Sequence, residues 1–245
     1  MKYYDYQQGL IQRHLNQEGG WDSHLEHCRN FILKALDLYK PTRITVLGSG
    51  WLLDLPISEM IEIADKVCLV DIIHPPEVIS QVSDLKKIEL VEQDITGGLI
   101  KEVWGKTRKH TFLNRLKTLE DIIIPEYQPA DDPGMVLSLN ILTQLEALPV
   151  KLITKHAKIE DDSFKRFCAA IQKKHIDFLK KHPSVLITDI SEVITNQGGG
   201  VTEKQTLLTD LPEAGFKEEW TWNFELVSSD FYRSKSAFRV IAISF

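Results

Sequence analysis

Short apolar runs alternate along the chain with longer segments of helical periodicity. Residues 22–39 place apolar side chains at intervals of three or four, which predicts an amphipathic helix with Asp22 as its N-cap and Pro41 at its end. Residues 43–47 and 67–72 are nearly unbroken apolar runs, a pattern typical of parallel strands that are covered on both faces. The first half of the chain therefore predicts a helix followed by buried parallel strands.

The same alternation continues to about residue 190. Apolar runs over 88–94, 134–140 and 185–189 predict three more strands, and most of these runs end on or beside a polar residue. Between them we expect a helix over 54–64 with Asp54 as its N-cap, a mixed helical region through 119–124, and a long helix over 161–181. Strands that alternate with helices indicate a mostly parallel sheet.

The last 30 residues have a different pattern. Residues 219–226 alternate between polar and apolar positions, and a second apolar strand follows over 237–243 after a polar turn. Two strands this close together are most simply antiparallel. The chain is thus predicted to be a doubly wound α/β protein: a mostly parallel, seven-stranded Rossmann-like sheet with a C-terminal antiparallel pair and helices on both faces. We expect residues 1–42 to form a helical cap on one compact unit, residues 43–245.

Composition and charge narrow the range of functions. The formal net charge of −6 disfavours a protein that coats nucleic acid, whose backbone is bound mainly through Lys and Arg. A basic run over 101–117 is interpreted as a solvated helix face, with a polyanion site as the alternative. No apolar stretch reaches the roughly 20 residues that a membrane span needs. Three separated cysteines in apolar contexts, and an N-terminus unlike a signal peptide, favour a cytoplasmic protein without disulfides.

A glycine loop and an acid mark the candidate site. Gly48 and Gly50 follow the first predicted strand, and Asp71 stands 21 positions after Gly50 at the end of the second. This is close to the interval at which an acid on the second strand of a nucleotide-binding fold accepts hydrogen bonds from ribose hydroxyls. Because ligands of open α/β sheets bind at the carboxyl ends of the strands, we expect a nucleotide site there.

At these residues the chain resembles the class I S-adenosylmethionine-dependent methyltransferases. The resemblance covers about 44–245 and rests on the segments 46–50, 70–72, 93–95 and 137–142. More narrowly, 46–56 and 69–75 look like a bacterial methyltransferase-like branch with no assigned substrate. The resemblance to class I methyltransferases implies S-adenosylmethionine as cofactor and a terminal antiparallel strand pair. The cofactor-binding residues implied by position are Gly48, Ser49, Gly50 and Trp51 in the glycine loop, Asp71 and Ile72 at the ribose, Asp94 and Ile95 at the adenine, and Asn140 beside the sulfonium.

Two positions depart from the pattern of that family. Val46 stands where the family has an acid two residues before the first glycine, and Leu52 replaces its third glycine. Valine cannot accept a hydrogen bond, so the amino group of the cofactor needs another partner. The predicted function is methyl transfer to a small-molecule acceptor, and the alternative is a non-catalytic scaffold or nucleotide sensor with the same fold. A nicotinamide-dependent oxidoreductase is disfavoured because the third small residue of its glycine motif is absent.

Methyl transfer depends mainly on positioning, so the sequence does not specify a catalytic set. Histidines are the candidate bases because they titrate near neutral pH, although most are expected to be structural. His24 and His27 are spaced to share a metal ion, but the sequence offers no third ligand, and no metal is predicted. The histidines considered are His24, His27, His74, His156 and His175.

Overall fold

The computed structural model describes residues 3–17, 19–108, 118–156, 161–226 and 234–245. Five parallel strands form the first part of the sheet: β1 (Arg43–Leu47), β2 (Lys66–Asp71), β3 (Ile88–Glu92), β4 (Met135–Leu139) and β5 (Ser184–Asn196). Three further strands are β6 (Val201–Gln205), β7 (Phe216–Glu225) and β8 (Ser234–Ser244). The helices are α1 (Tyr3–Leu15), α2 (Asp22–Tyr39), α3 (Ile57–Ile63), α4 (Pro76–Val82), α5 (Leu99–Arg108), α6 (Ala147–His156) and α7 (Asp161–Leu179).

The strand order across the sheet is β3-β2-β1-β4-β5-β8-β7. Strands β1 to β5 pair in parallel, whereas β8 is antiparallel to both β5 and β7. The doubly wound α/β class with a terminal antiparallel pair is therefore confirmed. The order reverses between β1 and β4, and this reversal is where such sheets bind ligands.

Helices cover both faces of the sheet, as predicted. One apolar core joins α2, α3 and α4 to one set of strand residues, among them Ile44, Val46 and Leu137. A second core joins α5, α6 and α7 to the alternate set, among them Leu47 and Val136. Consecutive strand residues enter opposite cores because side chains alternate across a strand, which explains why these strands are apolar throughout.

The described residues form eight strands rather than the seven predicted. Strand β5 does not end at Asp189: it continues through a bulge between Asp189 and Ser191 to Asn196 and pairs antiparallel with β6. The turn between them contains the three glycines at 198–200, where Asn196 exchanges backbone hydrogen bonds with Gly199 and Gly200. The additional strand was missed because all five residues of β6 are exposed and show no apolar alternation.

The predicted cap of the third helix was wrong. Helix α3 begins at Ile57, directly after Pro56, and no side chain caps it. The side chain of Asp54 is directed elsewhere, as described below. Asp22 likewise lies in the first turn of α2 rather than at its N-cap, and the region at 119–124 contains only a 3-10 turn, Leu119–Asp121.

Several other predictions concern the surface and the chain organisation. Helix α5 carries the start of the basic run, and residues 109–117 of that run lie outside the described residues. Among the helices that the structure describes, none is long and apolar enough to cross a membrane.

Cys28, Cys68 and Cys168 are free thiols. The division of the chain at residue 42 stays a prediction, although α2 shares a core with the sheet.

Candidate functional site

The predicted site residues lie along one edge of the sheet. Asp71 ends β2, Asp94 follows β3, the glycine loop follows β1, and Asn140 follows β4. Because β3, β2, β1 and β4 are successive neighbours, these four strand ends form a row across the reversal of strand order. The row spans three strand spacings, about 14 Å.

Asp71 ties the second strand to the glycine loop. Its Oδ2 accepts a hydrogen bond from the Gly50 amide at 2.9 Å, and its Oδ1 accepts one from the Ile72 amide at 2.7 Å. Burial raises the pKa of this carboxyl despite these amides, since only 8% of the residue is exposed. A carboxylate has about four acceptor positions, so both oxygens keep capacity for ligand hydroxyls.

The glycine loop lies close to the start of the segment after β4. A Cβ atom at Gly48 would lie 2.9 Å from Cβ of Ile141, whereas one at Gly50 would meet only the Gly48 carbonyl, at 3.9 Å. Ser49 is buried, and its Oγ has no hydrogen-bond partner among the described residues. The loop therefore approaches its neighbour tightly at Gly48 and presents open space beside Gly50.

Leu52 replaces the third glycine but keeps a glycine-like backbone. Its φ is +61°, in the left-handed region, and its side chain is only 4% exposed. This conformation costs a non-glycine residue about 1 kcal/mol or more, which the apolar contacts of the buried side chain offset. Leu52 therefore combines a left-handed backbone, which a glycine adopts readily, with a side chain packed beneath the loop.

Replacing Gly48 by alanine is expected to destabilise the protein by about 2 to 4 kcal/mol, because strain from the positive φ adds to the clash with Ile141. Gly199 supplies the control: it has the same φ of +79°, and a Cβ there would meet nothing within 4 Å. Gly199→Ala should cost only about 1 to 2 kcal/mol. Denaturant unfolding of both variants measures the difference, and equal losses would show that the contact with Ile141 is unimportant.

The residues expected at the nucleoside lie beside Asp71. Oδ1 of Asp94 accepts hydrogen bonds from the amide and the hydroxyl of Thr96, at 2.9 and 2.5 Å. Ile95 is 9% exposed, and Ile72 and Trp51 are half-buried. These positions provide apolar surface next to fixed carboxylates, which suits a base and a ribose, and their binding roles stay predictions.

A polar cluster crosses the site between β1 and β4. Nδ2 of Asn140 donates a hydrogen bond to Oδ2 of Asp54 at 3.1 Å, and the same nitrogen lies 3.3 Å from Nε2 of His24 on α2. Asn140 has a φ of +50°, so the chain turns sharply as it leaves β4. Burial raises the pKa of the Asp54 carboxyl. Sequence patterns did not place Asp54 in this cluster.

His24 is held in place by its neighbours and is not suited to act as a base. The indole nitrogen of Trp220 can only donate, so it donates to His24 Nδ1 at 3.0 Å. The proton of the neutral ring is then on Nε2, 3.5 Å from Cys28 Sγ, and the 3.3 Å contact of Nε2 with Asn140 Nδ2 is not a hydrogen bond, because both nitrogens are donors. The ring also stacks on Trp222 at 3.9 Å, and burial, followed by the nearby His27, lowers the pKa of His24 to about 3. Its single lone pair is used, so it cannot accept a substrate proton.

The other candidate histidines form contacts of their own, although His27 stacks on Trp220 beside the cluster. His27 is exposed and contacts the Ser23 carbonyl through Nδ1. His74 is buried near Asp71, with Nε2 3.3 Å from the Val91 carbonyl. His175 is buried in α7 with Nε2 2.8 Å from Ser138 Oγ, and burial lowers its pKa to about 4. The side chain of His156 lies outside the described residues.

A second polar cluster joins Glu146, in the segment between β4 and α6, to α7. Glu146 accepts a hydrogen bond from Gln172 Nε2 at 3.1 Å through Oε1, while its buried Oε2 has no partner in the described part of the chain. Burial raises the pKa of Glu146 to about 8, so it is protonated at neutral pH. The sequence contains no signal for this group, because only folding brings Gln172 beside it.

The structure has a cleft of about 500 Å³ next to the glycine loop, between α2 and α3. Its size is in the range of small-molecule sites. It opens beside the row of strand ends rather than over Asp71. No group of three His, Cys, Asp or Glu residues within the described ranges is arranged to hold a metal ion. The lining includes Glu26, Arg29, Asn30, Trp51, Leu52 and Gln81.

No protein-family model matches the sequence. No curated protein matches it either. The solved structures that resemble it include the N-methyltransferase NodS from Bradyrhizobium japonicum WM9 in complex with S-adenosyl-L-homocysteine, at 10% identity and a TM-score of 0.40, covering 89% of this chain and 86% of that chain. A second is a 1,6-didemethyltoxoflavin-N1-methyltransferase from Burkholderia thailandensis, at 9% identity and a TM-score of 0.39, covering 89% and 78%.

A third is a precorrin 8w decarboxylase from Methanobacterium thermoautotrophicum, at 13% identity and a TM-score of 0.26, covering 86% of this chain and 87% of that chain. The names of these three proteins include two kinds of reaction. The assignment of the fold rests on the strand order of this chain, not on these similarities. That order, a doubly wound sheet completed by an antiparallel pair, is the methyltransferase-like arrangement that the sequence resemblance implies.

Proposed function

We propose that the chain is an S-adenosylmethionine-dependent methyltransferase that acts on a small-molecule acceptor. The observation that carries the proposal is the Asp71 carboxylate, fixed by the Gly50 amide at the edge of the sheet where the strand order reverses. An acid in this position, 21 residues after the glycine loop, suits a ribose. The chain thus combines the fold, the loop and the acid that an adenosine cofactor needs.

The residues at this edge suit the cofactor in several respects. The Ser49 hydroxyl is buried and has no hydrogen-bond partner in the described part of the chain, as expected of a group that a ligand satisfies. Space is open beside Gly50, where a Cβ atom would approach nothing closer than 3.9 Å. Both oxygens of Asp71 retain acceptor capacity. Gly48, Ser49 and Gly50 would hold the amino acid portion, Asp71 the ribose, and Asp94 with Ile95 the adenine.

When bound, the sulfonium of the cofactor supplies an activated methyl group. The contribution of the protein is to hold an acceptor in line with that methyl group, beside Asn140. The negative net charge argues against nucleic acid as the acceptor.

Calorimetric titration with S-adenosylmethionine and S-adenosylhomocysteine tests the proposal, with NADH as the control ligand. A ligand at 100 times its dissociation constant stabilises the native state by about 2.7 kcal/mol, so S-adenosylhomocysteine should also raise the melting temperature. Neither heat nor thermal protection at millimolar concentrations would contradict the cofactor assignment.

A second measurement separates an enzyme from a nucleotide sensor of the same fold. The protein is incubated with methyl-labelled cofactor and a small-molecule extract, and the products are analysed for transferred label. Transfer supports the methyltransferase. Tight cofactor binding without transfer to any component would favour the sensor.

A further inference from the structure

We propose that Asp54 binds the α-ammonium group of the cofactor's methionine portion. It would replace the acid that the resembled family carries two residues before its first glycine. The inference rests on the proposed function and names the residue that completes its binding site.

In this chain the position where the resembled family carries that acid is unsuited to a charged side chain. Val46 is on β1, fully buried, and packs in the apolar core that α2, α3 and α4 share with the sheet. An acid there would be a buried charge among apolar side chains, at a high cost in stability. An ammonium group above the glycine loop must therefore find its carboxylate elsewhere.

Asp54 is the only acidic residue between positions 43 and 56, the segment that contains β1 and the glycine loop. It is directly before the first turn of α3, yet it does not cap that helix. Its carboxylate instead points across the strand reversal and accepts the Asn140 amide at 3.1 Å. This places a carboxylate between the ends of β1 and β4, where the methionine portion of the cofactor is expected.

Asp54 forms no ion pair with a cationic side chain of the described residues, so a ligand could provide its positive partner. Within the described ranges it forms no ion pair, and its hydrogen-bonded side-chain partner is the neutral amide of Asn140. The charge of Arg29 lowers the pKa of Asp54, but this arginine donates its hydrogen bond to the Leu53 carbonyl and forms no ion pair with Asp54 in the described part of the chain. Burial raises the pKa of the Asp54 carboxyl more than Arg29 lowers it, which agrees with a partly buried acid that has no close counter-charge. A ligand ammonium would provide that charge and a hydrogen bond together.

The test compares two ligands on two variants. S-adenosylhomocysteine carries the ammonium group, whereas methylthioadenosine has the same adenosine and thioether and lacks the amino acid portion. Asp54→Asn keeps an oxygen that can accept the Asn140 amide and removes the charge. Asp65→Asn makes the same change at an exposed position in the turn between α3 and β2, at the opposite edge of the sheet.

Asp54→Asn is expected to weaken S-adenosylhomocysteine binding by about 10- to 100-fold and to leave methylthioadenosine binding within about twofold. Asp65→Asn should change neither, and melting temperatures without ligand check that both variants fold. Equal affinity of wild type and Asp54→Asn for S-adenosylhomocysteine, or an equal loss for both ligands, would overturn the role of Asp54. If the wild-type protein binds neither ligand, the proposed function itself fails and this inference falls with it.

Discussion

Asp71→Asn is expected to weaken S-adenosylhomocysteine binding by at least about 100-fold. The substitution removes the charge that would accept the ribose hydroxyls, and each hydrogen bond to a charged group contributes about 1.5 to 3 kcal/mol. It also places an NH₂ group where Oδ1 or Oδ2 now accepts an amide of Ile72 or Gly50, so one of these buried donors loses its partner. We therefore expect a loss of stability of about 1 to 3 kcal/mol as well.

Calorimetry and denaturant unfolding measure the two effects of Asp71→Asn separately. Asp84→Asn is the matched control, because Asp84 is exposed in the turn before β3 and its change should affect neither quantity. Methylthioadenosine binding should fall together with S-adenosylhomocysteine binding, which distinguishes Asp71 from Asp54. Unchanged binding of both ligands would remove the observation on which the proposed function depends.

Glu146→Gln is expected to make the protein less sensitive to alkaline pH. The carboxyl of Glu146 has a pKa of about 8 in the folded protein because it is buried, against 4.5 for the ordinary group. Above pH 4.5 the unfolded chain loses this proton while the folded protein keeps it, so stability falls as pH rises towards 8. The amide of glutamine does not ionise and can still accept from Gln172. The variant should thus be more stable than wild type by about 4 kcal/mol at pH 8, with little difference near pH 4.5.

Urea unfolding of wild type and Glu146→Gln at a series of pH values gives this difference directly. Glu62→Gln removes one carboxylate from an exposed position of α3 and should show no such trend. A difference between wild type and Glu146→Gln that stays constant from pH 4.5 to pH 8 would mean that Glu146 ionises normally in the folded protein.

Much of the sheet could be predicted from local pattern alone. The apolar runs at β1, β2 and β4 identify strands buried on both faces, and the alternation near residue 220 identifies β7. A strand that touches no core leaves no such pattern, which is why β6 was missed. The bulge beside Asp189 was missed because a bulge depends on pairing with β8, not on local sequence.

The candidate site was predictable only in part. Gly48, Gly50 and Asp71 follow strands at fixed intervals, so their place at the edge of the sheet follows from the chain order. Asp54 was expected to cap α3, because a polar residue before Pro56 favours an N-cap. Its contact with Asn140 joins residues 86 positions apart and exists only once β1 and β4 are neighbours. Glu146 was missed for the same reason, since its partner Gln172 comes from a distant helix.

The position of β8 constrains the order in which the sheet assembles. Strand β8 lies between β5 and β7, although β7 precedes it in the chain. When β7 is synthesised, β8, the strand that joins it to the rest of the sheet, does not yet exist. Strand β7 reaches the rest of the sheet through β8, so the hydrogen bond from the Trp220 indole to His24 connects the α2 side of the candidate site to residues 234–244. Strand β8 therefore supports one side of the candidate site as well as joining β7 to the sheet.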